Sequence, residues 1–269
     1  MAFVGSLKKF GISVLESHPL GYMTGVFLLD HLDLLLPHES DYFGFEELAR
    51  RGHGRNRVIL DVGANRGHSA RAFLKLLPGW DVFSIEANPM HETSLGKIRE
   101  RSKGRFSYVI AAAGEKSGEN VILFTPSYHG IALHSATSSS REEALGAVES
   151  AYPGLKGRFA LKETNSLSLS IDELAISADF VKLDIQGAEQ AALRGMSRTI
   201  ERFKPILLVE QNSLSHEISE MLEHAYYHPW SFDAESKHFS KGVRRGTYGH
   251  GNTFFAADVH ERLLASAQV

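Results

Sequence analysis

Acidic residues stand at the ends of two apolar segments in the first half of the sequence. Asp61 ends the run VILD, and Glu86 ends the run VFSIE, 25 residues further on. In nucleotide-binding folds, an acid at the end of the second strand accepts hydrogen bonds from the ribose hydroxyls. The two acids together therefore predict a ligand that carries a ribose.

The turn after Asp61 narrows the choice of ligand. It reads DVGANRG, so it lacks the second glycine of the GxGxxG pattern that binds a pyrophosphate. Asn65 tolerates the positive φ of a tight turn, but its side chain fills space that a pyrophosphate would need. Asp61 would repel a phosphate and favour a cationic or hydroxyl-bearing ligand. S-adenosylmethionine has two cationic groups, ribose hydroxyls and no phosphate, so it fits both requirements.

These residues need a scaffold that brings the ends of several strands to one edge. From residue 56 onward, short apolar runs alternate with helical patterns, which favours a parallel sheet with crossover helices. The predicted strands have the sequences RVILDV, DVFSIEA, FSYVIAAA, ADFVKLDI and PILLVEQ. A helix is expected near residues 214 to 225, and the segments YYHPWSFD and GNTFFAAD are expected to form a terminal antiparallel pair.

Two parts of the chain fall outside this alternation. Residues 1–50 have a helical pattern and are predicted to form an N-terminal helical cap, followed by the main domain at 51–269. Within that domain, a hairpin strand with the sequence NVILFT and a long polar segment separate the third and fourth strands. A connection of this length is typical of a lid or a substrate-selecting element. We therefore expect a mobile, lid-like insertion at about 127–163.

Composition argues against several classes of function. The net charge is −3, from 29 basic and 32 acidic residues without long runs of one sign, so no nucleic-acid partner is expected. The absence of cysteine excludes disulfides and thiolate zinc sites and fits a cytoplasmic location. The most hydrophobic window, GYMTGVFLLDHLDLLLP, contains Asp30, His31 and Asp33, which would be costly inside a membrane. It is predicted to be a buried or interface-forming helix, which leaves a homo-oligomer through the N-terminal helices open.

Six segments of the chain resemble the FkbM-type methyltransferases. They are LDVGANRGHSARAF, VFSIEANP, AAAGEKSGEN, SLSLSIDEL, ADFVKLDIQGAEQAALRGM and PILLVEQ, in the family's order, and the resemblance covers roughly residues 56 to 258. Members mostly use S-adenosylmethionine to methylate hydroxyl groups of sugars and other natural products. The resemblance implies a Rossmann-like class I α/β fold with a seven-stranded, mostly parallel sheet and helices on both faces. It also implies cofactor contacts at Asp61, Gly63, Ala64, Asn65, Gly67, Ser69 and Glu86, with Ala112 near the adenine.

The chain departs from the family pattern at one position after the fourth strand. Where most members read DxEGxE, this chain reads DIQGAE, so Gln186 replaces an acid. A neutral amide cannot supply charge to a metal or act as a base. This residue therefore argues against a scheme with three carboxylates.

Asp184 and Glu210 are the acids closest to the expected chemistry. Asp184 ends the fourth strand, which should lie beside the strand ending at Asp61, and ligands of open α/β sheets bind at that crevice. Its alternative role is to cap the following helix. Glu210 ends the fifth strand and points to the same edge. Lys182 is unusual in an apolar strand, and if buried it needs a carboxylate partner, either Asp61 or Asp184.

An acceptor hydroxyl needs a general base, or a metal that lowers its pKa. Asp184 together with a loop histidine, His134 or His129, is the favoured base system. A Mg²⁺ ion held by Asp184 and Glu210 is the alternative. No spacing of histidines and acids typical of a metal site appears in the sequence.

The favoured function is therefore an S-adenosylmethionine-dependent O-methyltransferase that acts on a hydroxyl of a small acceptor. A sugar, or a glycosylated or polyketide-type metabolite, is the expected acceptor. An N-methyltransferase or nucleic-acid methyltransferase is an alternative, weakened by the lack of an N/D-P-P-Y/F tetrapeptide and of a basic patch. A binding or assembly protein on a methyltransferase fold is a second alternative, and a nicotinamide oxidoreductase is a third.

Overall fold

The computed structural model describes residues 39–211, 215–243 and 251–265. These residues belong to two compact units. The larger unit comprises the described residues of 38–121 and 166–269, and the smaller one contains 122–165.

Strands and helices are numbered here in chain order. The strands are β1 (Val58–Val62), β2 (Asp81–Glu86), β3 (Phe106–Ile110), β4 (Ala112–Ala113), β5 (Asn120–Tyr128), β6 (Ile131–Ala132), β7 (Ala160–Leu169), β8 (Phe180–Leu183), β9 (Ile206–Glu210), β10 (Tyr227–Asp233), β11 (His238–Lys241) and β12 (Asn252–Ala257). The α-helices are α1 (Tyr42–Arg50), α2 (His68–Leu76), α3 (Glu92–Arg101), α4 (Arg141–Ala151), α5 (Glu189–Arg194), α6 (Ser197–Phe203), α7 (Ser215–His224) and α8 (Glu261–Ala265).

The larger unit is built on an eight-stranded sheet with the order β11-β10-β12-β9-β8-β1-β2-β3. The five strands β9, β8, β1, β2 and β3, in the order in which they lie in the sheet, are parallel to one another. Strand β12 pairs antiparallel with both β9 and β10, and β10 pairs antiparallel with β11. The order reverses between β1 and β8, so the crevice expected at a topological switch point lies at the ends of these two strands.

The Rossmann-like α/β class predicted from the sequence is confirmed, with two differences in detail. The sheet has eight strands rather than seven, because the short polar segment His238–Lys241 pairs with β10 at the edge. The segment predicted as one strand, FSYVIAAA, is divided. After Ala111 donates a backbone hydrogen bond to the carbonyl of Glu86, the chain leaves the sheet, and β4 pairs with the end of β7 instead.

Apolar side chains cover both faces of this sheet, as expected for strands that read as continuous hydrophobic runs. Neighbouring residues of one strand face opposite sides, so Ile59 belongs to one core and Leu60 to the other. On one face, Phe45 of α1 packs against Phe180 and Phe254. The buried strands are thereby fixed in register, and their carboxyl ends form one edge.

Helix α1 belongs to the larger unit, where Phe45 and Leu48 are fully buried. It is the described part of the predicted N-terminal cap. Residues 1–38 lie outside the described residues, and so does the hydrophobic window with Asp30, His31 and Asp33. The cap at 1–50, its boundary and its proposed role in a homo-oligomer stay predictions. In the part of the chain that is described, no helix is long and apolar enough to cross a membrane.

The smaller unit holds the segment predicted to be a lid. Strand β5, which contains the predicted hairpin strand, forms a hairpin with β6, and helix α4 follows. Ser140 caps this helix by accepting a hydrogen bond from the backbone N–H of Glu143. Tyr128, Leu133 and Val148 belong to a small hydrophobic core within this unit. Movement of residues 127–163 as a lid stays a prediction.

Candidate active site at the carboxyl ends of the strands

The turn after β1 runs back against the end of β8. Gly63 has φ 86°, and a Cβ built on it would lie 1.8 Å from the carbonyl oxygen of Asp184. Only glycine fits such a close approach of two backbones at positive φ. Asn65 also has positive φ (50°), as expected from its side chain, and Gly67 (82°) precedes the first turn of α2.

Asp61 is fully buried at the end of β1. Its Oδ2 accepts hydrogen bonds from the hydroxyls of Ser69, at 2.8 Å, and Ser84, at 3.0 Å. Its Oδ1 receives no hydrogen bond from the described residues and lies 3.6 Å from the Lys182 ammonium. In this structure Asp61 therefore orders the start of α2, and a direct cofactor contact stays a prediction.

Lys182 joins the two sides of the crevice. Its ammonium lies 3.1 Å from Asp184 Oδ2 and donates a hydrogen bond to the carbonyl of Gly63 at 3.2 Å. The side chain is buried, which by itself would lower its pKa, but the surrounding acids, Asp184 foremost, outweigh burial and hold the pKa above its usual value. The expectation that a buried Lys182 needs Asp61 or Asp184 is confirmed, since it faces both.

Glu86 is held by the backbone of two turns. Its Oε2 accepts the N–H of Asn65 at 2.6 Å, and its Oε1 accepts the N–H of Asn88 at 2.8 Å. Burial raises the pKa of this carboxyl to about 7, although both hydrogen bonds favour the ionised form. Each carboxylate oxygen has a second lone pair, so the group retains capacity to accept hydrogen bonds from ribose hydroxyls.

Asp184, Gln186 and Glu210 form a connected group at the ends of β8 and β9. The Gln186 side-chain Nε2 donates to Asp184 Oδ1 at 3.2 Å and to Glu210 Oε2 at 2.8 Å. The negative charge of Asp184 also acts on Glu210. The position where the sequence departs from the family pattern thus lies between the two acids predicted to be closest to the chemistry.

The pKa values of the two acids in this group are shifted in opposite directions. Burial raises the pKa of Glu210 to about 8, and the negative charge of Asp184 adds to the effect. Burial acts in the same sense on Asp184, but the charge of Lys182 outweighs it and holds the pKa of Asp184 below its usual value. At neutral pH Glu210 therefore favours its protonated form and Asp184 its ionised form.

Glu189 stabilises the turn that carries Gln186. Its carboxylate accepts the backbone N–H groups of Ile185, at 2.9 Å, and Gly187, at 3.0 Å. Helix α5 begins at Glu189 and its N-cap is Ala188, so Asp184 does not cap this helix. The alternative role considered for Asp184 is thereby wrong, and its side chain is available to the crevice.

Four residues near Glu210 were missed by sequence reasoning: Glu39, Asp41, Tyr42 and Asn252. Asn252 lies opposite Glu210 in the register of β12 with β9, and its Nδ2 donates to Asp41 Oδ2 at 3.1 Å and to Glu39 Oε2 at 3.4 Å. The Tyr42 ring packs on Phe73, 4.8 Å between centroids. The pKa of its hydroxyl is raised by burial first, with charged groups of the crevice also acting on it. The only sequence signal was the polar Asn252 at the start of an apolar strand.

The other predicted site residues lie in several places. Ser69 and Ala64 are buried beside the turn after β1, and Ala112 is buried in β4. His134 is in a short 3₁₀ turn of the smaller unit, and His129 of that unit has φ 47°. Their roles stay predictions. Among the described residues, no group of three or more histidines and acids could hold a metal ion.

The sequence also matches the model of a known protein family. The model of the methyltransferase FkbM domain matches residues 61–229, which is more than half of the chain and includes the three acids at Asp61, Glu86 and Asp184. The chain belongs to the FkbM methyltransferase family. No curated protein matches the sequence well enough to be counted as a relative.

Three solved methyltransferases of low sequence identity are among the structures similar to this FkbM family member. An FkbM methyltransferase from Methylobacillus flagellatus KT is 14% identical, with 86% of this chain and 59% of that chain covered and a TM-score of 0.45. A precorrin-6y C5,15-methyltransferase from Geobacter metallireducens GS-15 is 14% identical, with 79% and 84% covered and a TM-score of 0.37. A SAM-dependent methyltransferase from Aquifex aeolicus is 9% identical, with 79% and 88% covered and a TM-score of 0.39. The chain thus spans less than two thirds of the FkbM structure.

The FkbM cofactor, S-adenosylmethionine, is compatible with the residues at this edge. The glycine turn after β1 is tight, and Asn65 takes the place where a dinucleotide fold would need a second glycine. Asp61 and Glu86 place two acids beside this turn, an unfavourable setting for a phosphate and a suitable one for a sulfonium and a ribose. The donor and acceptor set of the site therefore fits this group.

Proposed function

We propose that this protein is an S-adenosylmethionine-dependent O-methyltransferase that acts on a hydroxyl of a small acceptor, a sugar or a glycosylated or polyketide-type metabolite. The observation that carries the proposal is the pair of acids Asp184 and Glu210 at adjacent strand ends, which the Gln186 amide bridges. Lys182 joins this pair to the turn after Asp61. A proton acceptor thereby lies beside a turn suited to a ribose-bearing cation.

In this proposal the turn after β1 and the end of β2 hold the cofactor. The residues assigned to it are those predicted from the sequence: Asp61, Gly63, Ala64, Asn65, Gly67, Ser69, Glu86 and Ala112. When bound, the cofactor supplies an electrophilic methyl group on a positively charged sulfur. Glu86 accepts hydrogen bonds from the ribose hydroxyls. The buried Asp61 contributes by accepting a hydrogen bond from Ser69, which fixes the start of α2.

The acid pair supports removal of a proton from the acceptor. An alcohol is a poor nucleophile at neutral pH, and a positioned base contributes about 10²–10⁴-fold to such reactions. The acceptor hydroxyl donates a hydrogen bond to the ionised Asp184 carboxylate, which would take its proton as the oxygen–methyl bond forms and the sulfur–methyl bond of the cofactor breaks. His134 remains a candidate for a second base from the smaller unit, and a Mg²⁺ ion on Asp184 and Glu210 remains the less favoured alternative.

Binding measurements test the cofactor assignment first. Titration calorimetry should show binding of S-adenosylmethionine and S-adenosylhomocysteine, and no binding of NAD. Tight NAD binding, or no binding of either sulfur ligand, would contradict the assignment. The acceptor is found by a screen of hydroxylated compounds, with mass spectrometry reporting a gain of one methyl group.

The role of Asp184 is tested by Asp184→Asn. This variant keeps the size of the side chain but removes its basicity, so turnover should fall at least a hundredfold while the affinity for S-adenosylhomocysteine stays within threefold of wild type. Wild-type turnover in Asp184→Asn would exclude Asp184 as the base. Loss of wild-type activity in EDTA, restored by Mg²⁺ or Mn²⁺, would favour the metal alternative.

A further inference from the structure

Gln186 lies in a turn whose backbone conformation orients its side chain. Its φ is 52°, in the left-handed region that side chains rarely adopt, and Gly187 follows with φ 97°. The Glu189 carboxylate accepts the N–H groups on either side of Gln186 and so braces this conformation. Backbone strain of this kind persists only where surrounding contacts hold it, and it is frequent at functional sites.

The Gln186 amide joins the side chains of the two acids. A side-chain amide nitrogen carries two hydrogens, one for each of its two acceptors, Asp184 Oδ1 at 3.2 Å and Glu210 Oε2 at 2.8 Å. Lys182 occupies the other oxygen of Asp184, at 3.1 Å, from the opposite side. Each oxygen of Asp184 thus has its own donor, and the carboxylate is fixed in orientation.

We propose that the Gln186 amide is the positioning residue of this site, bridging Asp184 and Glu210 in the place that a divalent cation would take between two carboxylates. The proposal rests on the proposed function, because the pair is the proton acceptor of that reaction. A glutamate at 186 could not donate to either acid, and it would add a third carboxylate to the pair. The amide therefore supplies donors to both acids without a cation, whereas an acid at this position would offer them none.

The proposal predicts that one substitution creates a need for a cation. Gln186→Glu should lower the melting temperature, because three carboxylates then meet, and Mn²⁺ should raise it again by at least 5 °C. Titration calorimetry should show Mn²⁺ affinity at least tenfold above that of wild type. Gln190→Glu, the same chemical change on α5, is the matched control and should respond to Mn²⁺ as wild type does. These measurements need no acceptor, so their outcome can be told apart from a failure of the proposed methyl-transfer reaction.

A second variant tests positioning directly. Gln186→Met keeps the length of the side chain and removes both donors, so kcat should fall at least tenfold while KM for S-adenosylmethionine stays within threefold. The proposal is overturned if Mn²⁺ neither raises the melting temperature of Gln186→Glu nor restores its folding. It is also overturned if Gln186→Met retains wild-type kcat. Wild-type protein that binds S-adenosylhomocysteine but transfers no methyl group would instead count against the proposed function.

Discussion

The acids at the ends of β1 and β2 and the acids at the ends of β8 and β9 occupy equivalent places in the sheet but are held differently. Asp61 and Glu86 accept hydrogen bonds from hydroxyls and backbone N–H groups that belong to fixed elements. Asp184 and Glu210 both accept hydrogen bonds from one side-chain amide. We therefore call the first pair the scaffold pair, and the second, in which the pKa of Glu210 is raised to about 8, the exchangeable pair.

Lys182 is the group that both pairs share, so its removal should have the largest effect. Lys182→Met fills the same space but leaves the buried Asp61 and the partly exposed Asp184 without a counter-charge, and breaking a buried ion pair in this way costs about 3–5 kcal/mol. Chemical denaturation should show this loss in the free energy of unfolding. Lys97→Met, at an exposed position of α3, is the control and should change stability by less than about 0.5 kcal/mol. If the two variants have similar free energies of unfolding, Lys182 does not link the two pairs of acids.

Glu86 tests the scaffold pair by itself. Glu86→Ala removes the acceptor assigned to the ribose hydroxyls and also releases the N–H groups of Asn65 and Asn88. Hydrogen bonds to charged groups are worth about 1.5–3 kcal/mol each, so the affinity for S-adenosylhomocysteine should fall at least tenfold. Titration calorimetry measures this, with Glu100→Ala on the exposed side of α3 as the control. An unchanged affinity in Glu86→Ala would place the cofactor elsewhere.

Glu210 tests the exchangeable pair through pH. Its pKa is raised in the folded protein to about 8, from an ordinary value of 4.5, so folding favours the protonated form. The stability that this provides is complete below pH 4.5 and is lost as the pH rises through 8. Glu210→Gln remains neutral at every pH and should equal wild type near pH 5 but exceed it by about 1–2 kcal/mol at pH 9, allowing for partial exposure. Denaturation at the two pH values shows whether the difference grows; a constant difference would contradict the raised pKa.

The parts of the fold that the sequence predicts are those governed by local patterns. Continuous apolar runs predict the buried strands, and an acid after such a run falls at the sheet edge because parallel strands end together. Asp61, Glu86, Asp184 and Glu210 were found in this way. Strand β11 was not found, because HFSK is short and polar and becomes a strand only by pairing with β10.

The bridge at Gln186 shows what a sequence pattern leaves open. The pattern identified the residue as a departure and argued against a role as a base. Its actual contacts depend on a left-handed backbone at one residue and on the spacing of two strand ends, neither of which is encoded locally. Glu39 and Asp41 were missed for the same reason, because Asn252, more than 200 residues away, holds them.

The position of β12 has a consequence for how the chain is made. This strand lies between β9 and β10, although it is the last strand of the described chain to be synthesised. Until residues 252–257 leave the ribosome, β9 and β10 cannot meet in the native sheet, and each has an open, apolar edge. These edges stay open from the synthesis of β9 and β10 until β12 is made, and a chain truncated before residue 252 would be prone to aggregate.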